Sequence, residues 1–356
     1  MRKILCIALA AAMVLPYGYG EQVAKKDCLY RMLEATENGD LAEVKRLLSA
    51  TPKAEQDELL NKLLPQPLLG PAVSRGTPLT VAASRGYGAI VQCLVDNGAK
   101  LDAQDTEGKT ALYHALAERH IPISQFLIGK MIEHGKSEIL TAADLRNVLT
   151  DMCEGRTVLM LAIETGNFDL IKKLIEAAEL FGINLLENTW KQHGYDENPL
   201  IQAVGTGNLD IVTYLIEKKA DPNEPNSDYT PLSKAVAMGN MKIIKYLIET
   251  CNVDVDGVSG AGSPLILAVK ANNPGIIKYL LTHKANPVQS DGTSVFMVPI
   301  DKENLSMAKM LVDLGVQPTD KDIGAATARA TWNPDYKKFV SLLKKAQHKK
   351  APAKKD

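Results

Sequence analysis

Several features are scarce in this 356-residue chain, and each scarcity narrows what the protein can do. Aromatic residues make up 5% of the chain, cysteine occurs five times, and 41 Lys and Arg nearly balance 42 Asp and Glu. Nothing in this charge balance resembles the basic excess that is typical of nucleic-acid-binding domains. The cysteines include no C-x-x-C pair, which argues against a structural zinc site or a dithiol redox centre.

Catalytic motifs are also missing. The chain contains no H-E-x-x-H, no G-x-S-x-G and no G-x-x-x-x-G-K-[ST] sequence, so the common zinc hydrolases, α/β-hydrolases and P-loop NTPases are not indicated. The segment 257–262 (GVSGAG) resembles a phosphate-binding loop, but it follows a helix and a loop, and a hairpin turn is the better interpretation. Asp254 and Asp256 alone are weak evidence for calcium. The sequence therefore predicts no enzyme, no cofactor and no metal site.

The longest apolar run covers residues 4–15. As a helix it is too short to cross a bilayer core of ~30 Å. Two basic residues precede it, and glycines stand at positions −3 and −1 of a cut before Glu21. This order of zones is typical of a secretory signal peptide, here residues 1–20; an uncleaved anchor or a buried first helix is the alternative. We therefore expect an exported protein, periplasmic or secreted, with no membrane span after cleavage.

What the chain does contain is a recurring two-helix pattern. The clearest copy is 230–252, TPLSKAVAMGNMKIIKYLIETCN. A short helix over 232–237, a Gly-Asn turn and a second helix over 241–249 place their apolar residues on facing sides. One such hairpin is too small to bury its apolar surface alone, so it requires similar hairpins on both sides.

The chain supplies these neighbours. Similar starts occur at Thr77, Thr110, Thr157, Asn198, Thr230, Ser263 and Thr293. By subtraction, successive starts are 33, 47, 41, 32, 33 and 30 residues apart. A spacing near 33 with a T-P-L start and a G-N centre is the ankyrin signature. From about Leu29 to about Pro318 the sequence resembles an ankyrin-repeat protein.

This resemblance implies an all-α fold, an ankyrin-repeat solenoid of about seven to eight helix-turn-helix repeats with degenerate end caps and two insertions. The predicted parts are the solenoid over 21–345, with a capping repeat at 27–50, repeats starting near 76, 108, 155, 197, 229, 262 and 292, and a C-terminal cap at 320–345. Residues 346–356 are predicted to be a disordered Lys-rich tail.

The predicted departures from the pattern are local. The insertions lie within 121–155 and 180–197, and the first of them is expected to form an extra helix capped by Thr141. Pro299 predicts a shortened or bent helix in the last full repeat. The His of the family's T-P-L-H turn is missing throughout, which puts in doubt how rigidly neighbouring repeats are coupled. Its position carries Thr80, Tyr113, Met160, Ile201, Ser233, Ile266 and Phe296.

Four cysteines remain beyond the predicted cleavage site: Cys28, Cys93, Cys153 and Cys251. In an oxidising compartment they could form two disulfides, although the sequence does not identify the pairs. Cys93 replaces an aliphatic residue inside a second helix, so we expect it to act as a small buried hydrophobic residue.

The resemblance also implies a binding surface. In the family, the concave face is built from the hairpin tips and the exposed ends of the first helices. An ordinary solvated residue is the better interpretation of any single one of these positions, whereas the row as a whole is the default partner surface of a stacked-repeat protein. Carried over residue by residue, the face consists of Ser84, Arg85, Thr106, Glu107, Lys109, Glu118, Glu164, Thr165, Thr206, Asn226, Ser227, Tyr229, Met238 and Lys270.

Together, the resemblance and the predicted signal peptide favour a non-enzymatic protein–protein interaction scaffold, a monomeric adaptor in the bacterial envelope that binds a protein partner on its concave face. One alternative is a secreted effector that binds a host protein. Another is an immunity or inhibitor protein that acts against a toxin. An enzyme with its site in the insertions has no set of residues to support it, and no nucleic-acid partner is expected.

Overall fold

The computed structural model describes residues 19–63, 76–137, 139–150, 155–186, 198–257, 263–289 and 292–348, with side chains from residue 28 onward. Most of the predicted signal peptide, the segment at 187–197 and the predicted tail after His348 lie outside the described residues. Regular structure within these ranges is helical, and two isolated antiparallel bridges join Gln104 to Thr110 and Val288 to Ser294. The chain divides into a first unit, 1–189, and a second unit, 190–356.

In the first unit, two rows of helices alternate along the chain. First helices α1, α4, α6 and α9 pack side by side, as do second helices α2, α5, α7 and α10, while α3 and α8 are additional. Their bounds are α1 Tyr19–Glu37, α2 Leu41–Ala50, α3 Lys53–Asn61, α4 Pro78–Arg85, α5 Gly88–Asp96, α6 Ala111–Ala117, α7 Ile121–Lys136, α8 Ala142–Thr150, α9 Val158–Glu164 and α10 Phe168–Leu180.

The second unit repeats this arrangement. First helices α11, α13, α15, α17 and α19 pack in sequence, α12 packs against α14, and α18 packs against α20. Their bounds are α11 Pro199–Thr206, α12 Leu209–Glu217, α13 Pro231–Ala237, α14 Met241–Lys245, α15 Pro264–Lys270, α16 Pro274–Thr282, α17 Met297–Asp301, α18 Leu305–Asp313, α19 Asp320–Ala330 and α20 Tyr336–His348.

The T-P-L start works as a helix N-cap. The hydroxyl of Thr77, Thr110, Thr157 or Thr230 accepts a hydrogen bond from the backbone N–H three residues later, which satisfies a free donor of the first turn. Proline follows two of these threonines at the first helical position, where its missing N–H costs nothing.

The G-N centre joins the two helices of a repeat. Gly207, for example, ends α11 at φ +75°, and Asn208 then caps α12 by accepting from the N–H of Asp210. The same Asn cap starts the second helix in four further repeats, at Asn167, Asn240, Asn273 and Asn304. The T-P-L threonine and the G-N asparagine therefore each fix, by a local hydrogen bond, where one helix of the repeat begins.

Lys219 occupies a backbone conformation that suits glycine. It follows α12 at φ +73°, whereas Gly98 and Gly182 hold the matching position in the first unit. Lys219→Gly is therefore expected to stabilise the second unit by about 0.5–1 kcal/mol, measured as a higher midpoint in urea unfolding. Lys242→Gly, inside α14, should have the opposite sign. A lower midpoint for Lys219→Gly would contradict the expectation.

Two predicted departures are confirmed. The extra helix is α8, and the Thr141 hydroxyl accepts from the N–H of Asp144 at 3.1 Å. The helix that contains Pro299, α17, spans five residues. At the predicted C-terminal cap, α19 and α20 form a helix pair, in which Phe339 and Leu343 of α20 are buried and Leu342 is half-buried. These features follow from local signals: a cap, a proline and a helical period of apolar residues.

One helix differs from the prediction. The segment 241–249 was expected to be a single α-helix, but α14 ends at Lys245 and a π-helical turn spans Tyr246–Thr250. The Cys251 N–H donates to the carbonyl oxygen of Tyr246 at 3.2 Å, five residues back instead of four. Apolar periodicity does not distinguish these two hydrogen-bond patterns over a single turn.

The residues that replace the family's histidine are all buried, with at most 8% of each exposed. Other polar groups couple neighbouring repeats: the Asn240 amide donates to the Gly207 carbonyl oxygen at 3.1 Å, and the Asn286 N–H donates to the Asp256 carboxylate at 2.6 Å. Asp256 thus has a structural contact at a repeat junction. Within the described ranges, no group of three or more His, Cys, Asp or Glu is placed to hold a metal ion.

The described cysteines do not pair. Cys28, Cys93 and Cys251 carry free thiols, and Cys153 lies outside the described residues. Cys93 is half-buried and not fully buried as expected, and burial raises the pKa of its thiol. Across the described part of the chain, no helix is both long and apolar enough to cross a membrane.

Candidate interaction surface

In the first unit, the candidate residues at the ends of the first helices are largely engaged within the protein. The Arg85 guanidinium donates to Glu37 of α1 at 2.7 Å, and Glu164 forms an ion pair with Arg156. The Thr165 hydroxyl donates to the Ala162 carbonyl oxygen at 2.6 Å. A partner that used these groups would have to compete with contacts that already exist.

The two remaining first-helix candidates of this unit differ from each other. Ser84 is half-buried, and its carbonyl oxygen accepts from His120 Nε2 at 3.0 Å. Glu118 follows α6 and is exposed. Glu118 therefore offers a charged group that a partner can reach directly.

A closed turn forms the described hairpin tip of the first unit. Asp105 organises it: one carboxylate oxygen accepts from the N–H groups of Glu107 and Lys109 at 2.8 and 2.9 Å, and the other lies 2.7 Å from His114 Nε2, which donates. Burial by itself raises the pKa of Asp105, but these hydrogen bonds outweigh burial and hold the pKa below its ordinary value. Thr106 and Glu107 are exposed at the tip.

Lys109 is the candidate least accessible at this tip. Its side chain is only 13% exposed, its Nζ lies 2.8 Å from the Glu107 carboxylate, and the same Nζ lies 5.7 Å from the ring centre of Tyr113. The tip therefore presents Thr106 and Glu107 outward, while Lys109 stabilises the turn from within.

The repeat pattern does not predict the Asp105–His114 pair. The two residues are nine positions apart, and His114 stands one position after the place where the family has its histidine. An Asp at the start of the tip together with a His in the following first helix was the available signal. The pair joins the hairpin tip to the first helix that follows it.

In the second unit, three candidates lie at the ends of successive first helices. The Thr206 hydroxyl donates to the Ala203 carbonyl oxygen at 2.6 Å. Lys270 is exposed at the end of α15, and its carbonyl oxygen accepts from Lys302 Nζ at 2.8 Å. Met238, between them at the end of α13, has 54% of its surface exposed. We call Thr206, Met238 and Lys270 the first-helix surface of the second unit.

A second preformed tip contains the other three candidates. The Asn226 side-chain oxygen accepts from the N–H groups of Asp228 and Tyr229 at 3.1 and 2.7 Å, which makes Asn226 a structural residue of the turn. Tyr229 is half-buried, and Lys234 Nζ lies 4.8 Å from its ring centre. Ser227 is exposed. This tip offers a fixed aromatic and cationic platform next to the first-helix surface.

Comparison with known proteins agrees with this architecture. A family model described as "Ankyrin repeats (3 copies)" matches residues 32–138, 177–259 and 251–322. Human Rabankyrin-5 is 28% identical over 169 residues, 42% of this chain and 14% of that protein. The Arabidopsis thaliana potassium channel AKT2/3 is 30% identical over 166 residues, 46% of this chain and 17% of that protein. The matched segments thus span less than a fifth of the lengths of these two relatives.

Among solved structures, the crystal structure of the human ASB11 ankyrin repeat domain superposes with a TM-score of 0.53 at 20% identity. The superposition covers 68% of this chain and all of that domain, and it confirms the predicted all-α ankyrin-repeat fold. Stacked repeats of this kind are protein–protein interaction scaffolds. Since the family model matches more than half of the residues, the chain belongs to the ankyrin-repeat family.

Proposed function

We propose that this protein is an exported, monomeric, non-enzymatic adaptor of the bacterial envelope that binds a protein partner on its first-helix surface. The order of basic, apolar and small residues over 1–20 supports export. The interaction-scaffold family supports a protein partner. The stacked repeats would bind the partner by presenting fixed hairpin tips and helix ends to it. The protein would catalyse no reaction.

The exposure of Met238 is the observation that carries this proposal. A methionine side chain that is 54% exposed on a polar row leaves apolar surface in water, and its burial would stabilise a complex. Lys270 on the next repeat offers a positive charge at the rim, whereas the Thr206 hydroxyl already donates to the Ala203 carbonyl oxygen. The corresponding first-unit residues Arg85 and Glu164 are already paired within the protein, so the second unit offers the more available anchor.

The test compares single substitutions at two side chains that are equally exposed. Met238 and Leu180 each have 54% of their surface exposed, but Leu180 lies at the end of a second helix. Full-length protein is tagged and captured from the native envelope, and the co-purified partner is quantified by mass spectrometry. We expect Met238→Asp to lower partner recovery at least about tenfold, because it loses the buried apolar contact and places a charge there. Leu180→Asp should retain the partner.

The fractionation that precedes capture tests export. Mature protein that begins at Glu21 and is found in the envelope agrees with the proposal, and intact Met1 in the cytosol contradicts it. Protein found chiefly in the medium would favour a secreted effector. If Leu180→Asp loses the partner and Met238→Asp keeps it, the first-helix surface is not the binding site.

A further inference from the structure

The last helix, α20, presents a strongly basic outer face. Its inner face, which contains Tyr336, Phe339 and Leu343, is buried against α18 and α19. The opposite face contains no carboxylate. Its exposed residues are Lys337, Lys338, Ser341, Lys344, Lys345 and His348.

Most of this positive charge is not neutralised locally. Asp335 lies 3.2 Å from Lys338, but within the described ranges no carboxylate forms an ion pair with Lys337, Lys344 or Lys345. The two pairs of lysines are about 10 Å apart along a helix that rises 1.5 Å per residue. The face is therefore a dense positive patch.

Trp332 is the second, independent feature at this end of the unit. It lies in the turn between α19 and α20, five residues before Lys337, and 91% of its surface is exposed. The turn is held in place: the Trp332 N–H donates to the Arg329 carbonyl oxygen at 3.0 Å, and the Arg329 side chain binds Asp301. A large apolar ring thus projects into solvent from a fixed turn, although nothing in the repeat fold requires it there.

We propose that Trp332 and the lysine face of α20 together bind the surface of an anionic phospholipid bilayer. Tryptophan prefers the interface between headgroups and acyl chains, and each lysine near an anionic surface strengthens attachment about fivefold. The strength of peripheral attachment grows with the apolar area that is inserted and with the electrostatic attraction to anionic lipids. An apolar ring and a polybasic face are both present here within one helical hairpin.

A bilayer explains this patch better than an acidic protein does. Protein–protein interfaces are depleted in lysine and enriched in arginine, and the outer face of α20 contains four lysines and no arginine. Their flexible ammonium groups suit a diffuse layer of headgroups, which needs no matching geometry. Attachment there would hold the protein at the membrane and is independent of the partner proposed for Met238, which lies at the end of α13.

Vesicle sedimentation with the full chain tests the proposal. We expect binding to vesicles that contain phosphatidylglycerol, none to phosphatidylcholine alone, and release by high salt. The triple variant Lys337→Gln, Lys344→Gln, Lys345→Gln should bind roughly a hundredfold more weakly, as three steps of about fivefold predict. The matched control neutralises three exposed lysines elsewhere, Lys53, Lys242 and Lys278, and should bind within about twofold of wild type.

Tryptophan emission gives a separate readout. The chain has two tryptophans, so Trp190→Phe leaves Trp332 as the reporter, and its emission should shift to the blue with phosphatidylglycerol vesicles only. Trp332→Ala should weaken binding on the order of tenfold, whereas Met238→Ala should not. Equal binding by the two triple variants, or binding to polyglutamate but not to vesicles, would overturn the proposal, the latter in favour of an acidic polypeptide.

Discussion

Phe296→Ala is expected to destabilise the second unit by about 3–5 kcal/mol, the usual cost of removing a fully buried aromatic ring from a core. Phe296 is 0% exposed and is the largest fully buried side chain among the residues that the structure describes. It opens the repeat with the shortest first helix, the five-residue α17. Because α17 is so short, few backbone hydrogen bonds stabilise it. Packing around Phe296 must therefore hold α17 between α15 and α19.

Hydrogen exchange shows which repeats lose stability in Phe296→Ala. Repeat arrays unfold in parts, so one free energy of unfolding does not describe the chain. We expect amides of α15 to α19 to exchange faster in Phe296→Ala, while amides of the first unit keep their rates. Leu180→Ala, at a half-exposed side chain, should change stability by less than about 0.5 kcal/mol. A loss of under about 1 kcal/mol for Phe296→Ala would show that its neighbours fill the space.

The repeat boundaries could be predicted because local chemistry encodes them. Thr230 is a T-P-L threonine that caps a first helix, and Asn240 is a G-N asparagine that caps a second one. Each cap acts over three residues, so sequence alone specifies it. The helical period of the apolar residues then identifies the buried faces. The structure therefore differs from the sequence prediction mainly where the hydrogen-bond partner is distant or the pattern is ambiguous.

Local patterns could not predict whether a candidate binding residue is exposed or already in contact with another part of the protein. The position of Arg85 in its repeat predicts an accessible residue, but its partner Glu37 is 48 residues away, and no local pattern connects the two. Lys109 sits at a tip and is still mostly buried, because a long side chain can fold back over its own turn. The exposure of Trp332 likewise depends on what packs around α19 and α20. Position within a repeat predicts where a residue lies, but not whether it is available.

Asp105→Ala is expected to destabilise the first unit by about 2–4 kcal/mol at neutral pH. The Asp105 side chain is 10% exposed and accepts three hydrogen bonds, from the N–H groups of Glu107 and Lys109 and from His114. Alanine would leave these donors unsatisfied in and beside a tip that packs on α6, and each unsatisfied group that stays buried costs about 1–3 kcal/mol. Faster hydrogen exchange in 104–118 should accompany the loss.

The effect of Asp105→Ala should also depend on pH in a defined direction. Hydrogen bonds hold the pKa of folded Asp105 below its ordinary value of 3.8, despite the opposing effect of burial. The unfolded chain therefore binds the proton more readily, so the stabilisation is complete above pH 3.8 and is lost as pH falls through the folded pKa. Urea unfolding across this range should show wild type and Asp105→Ala converging in acid. Asp228→Ala, which removes an exposed carboxylate at the second-unit tip, should change stability little at any pH. A difference between wild type and Asp105→Ala that stays constant into acid would show that the carboxylate charge contributes nothing to the tip.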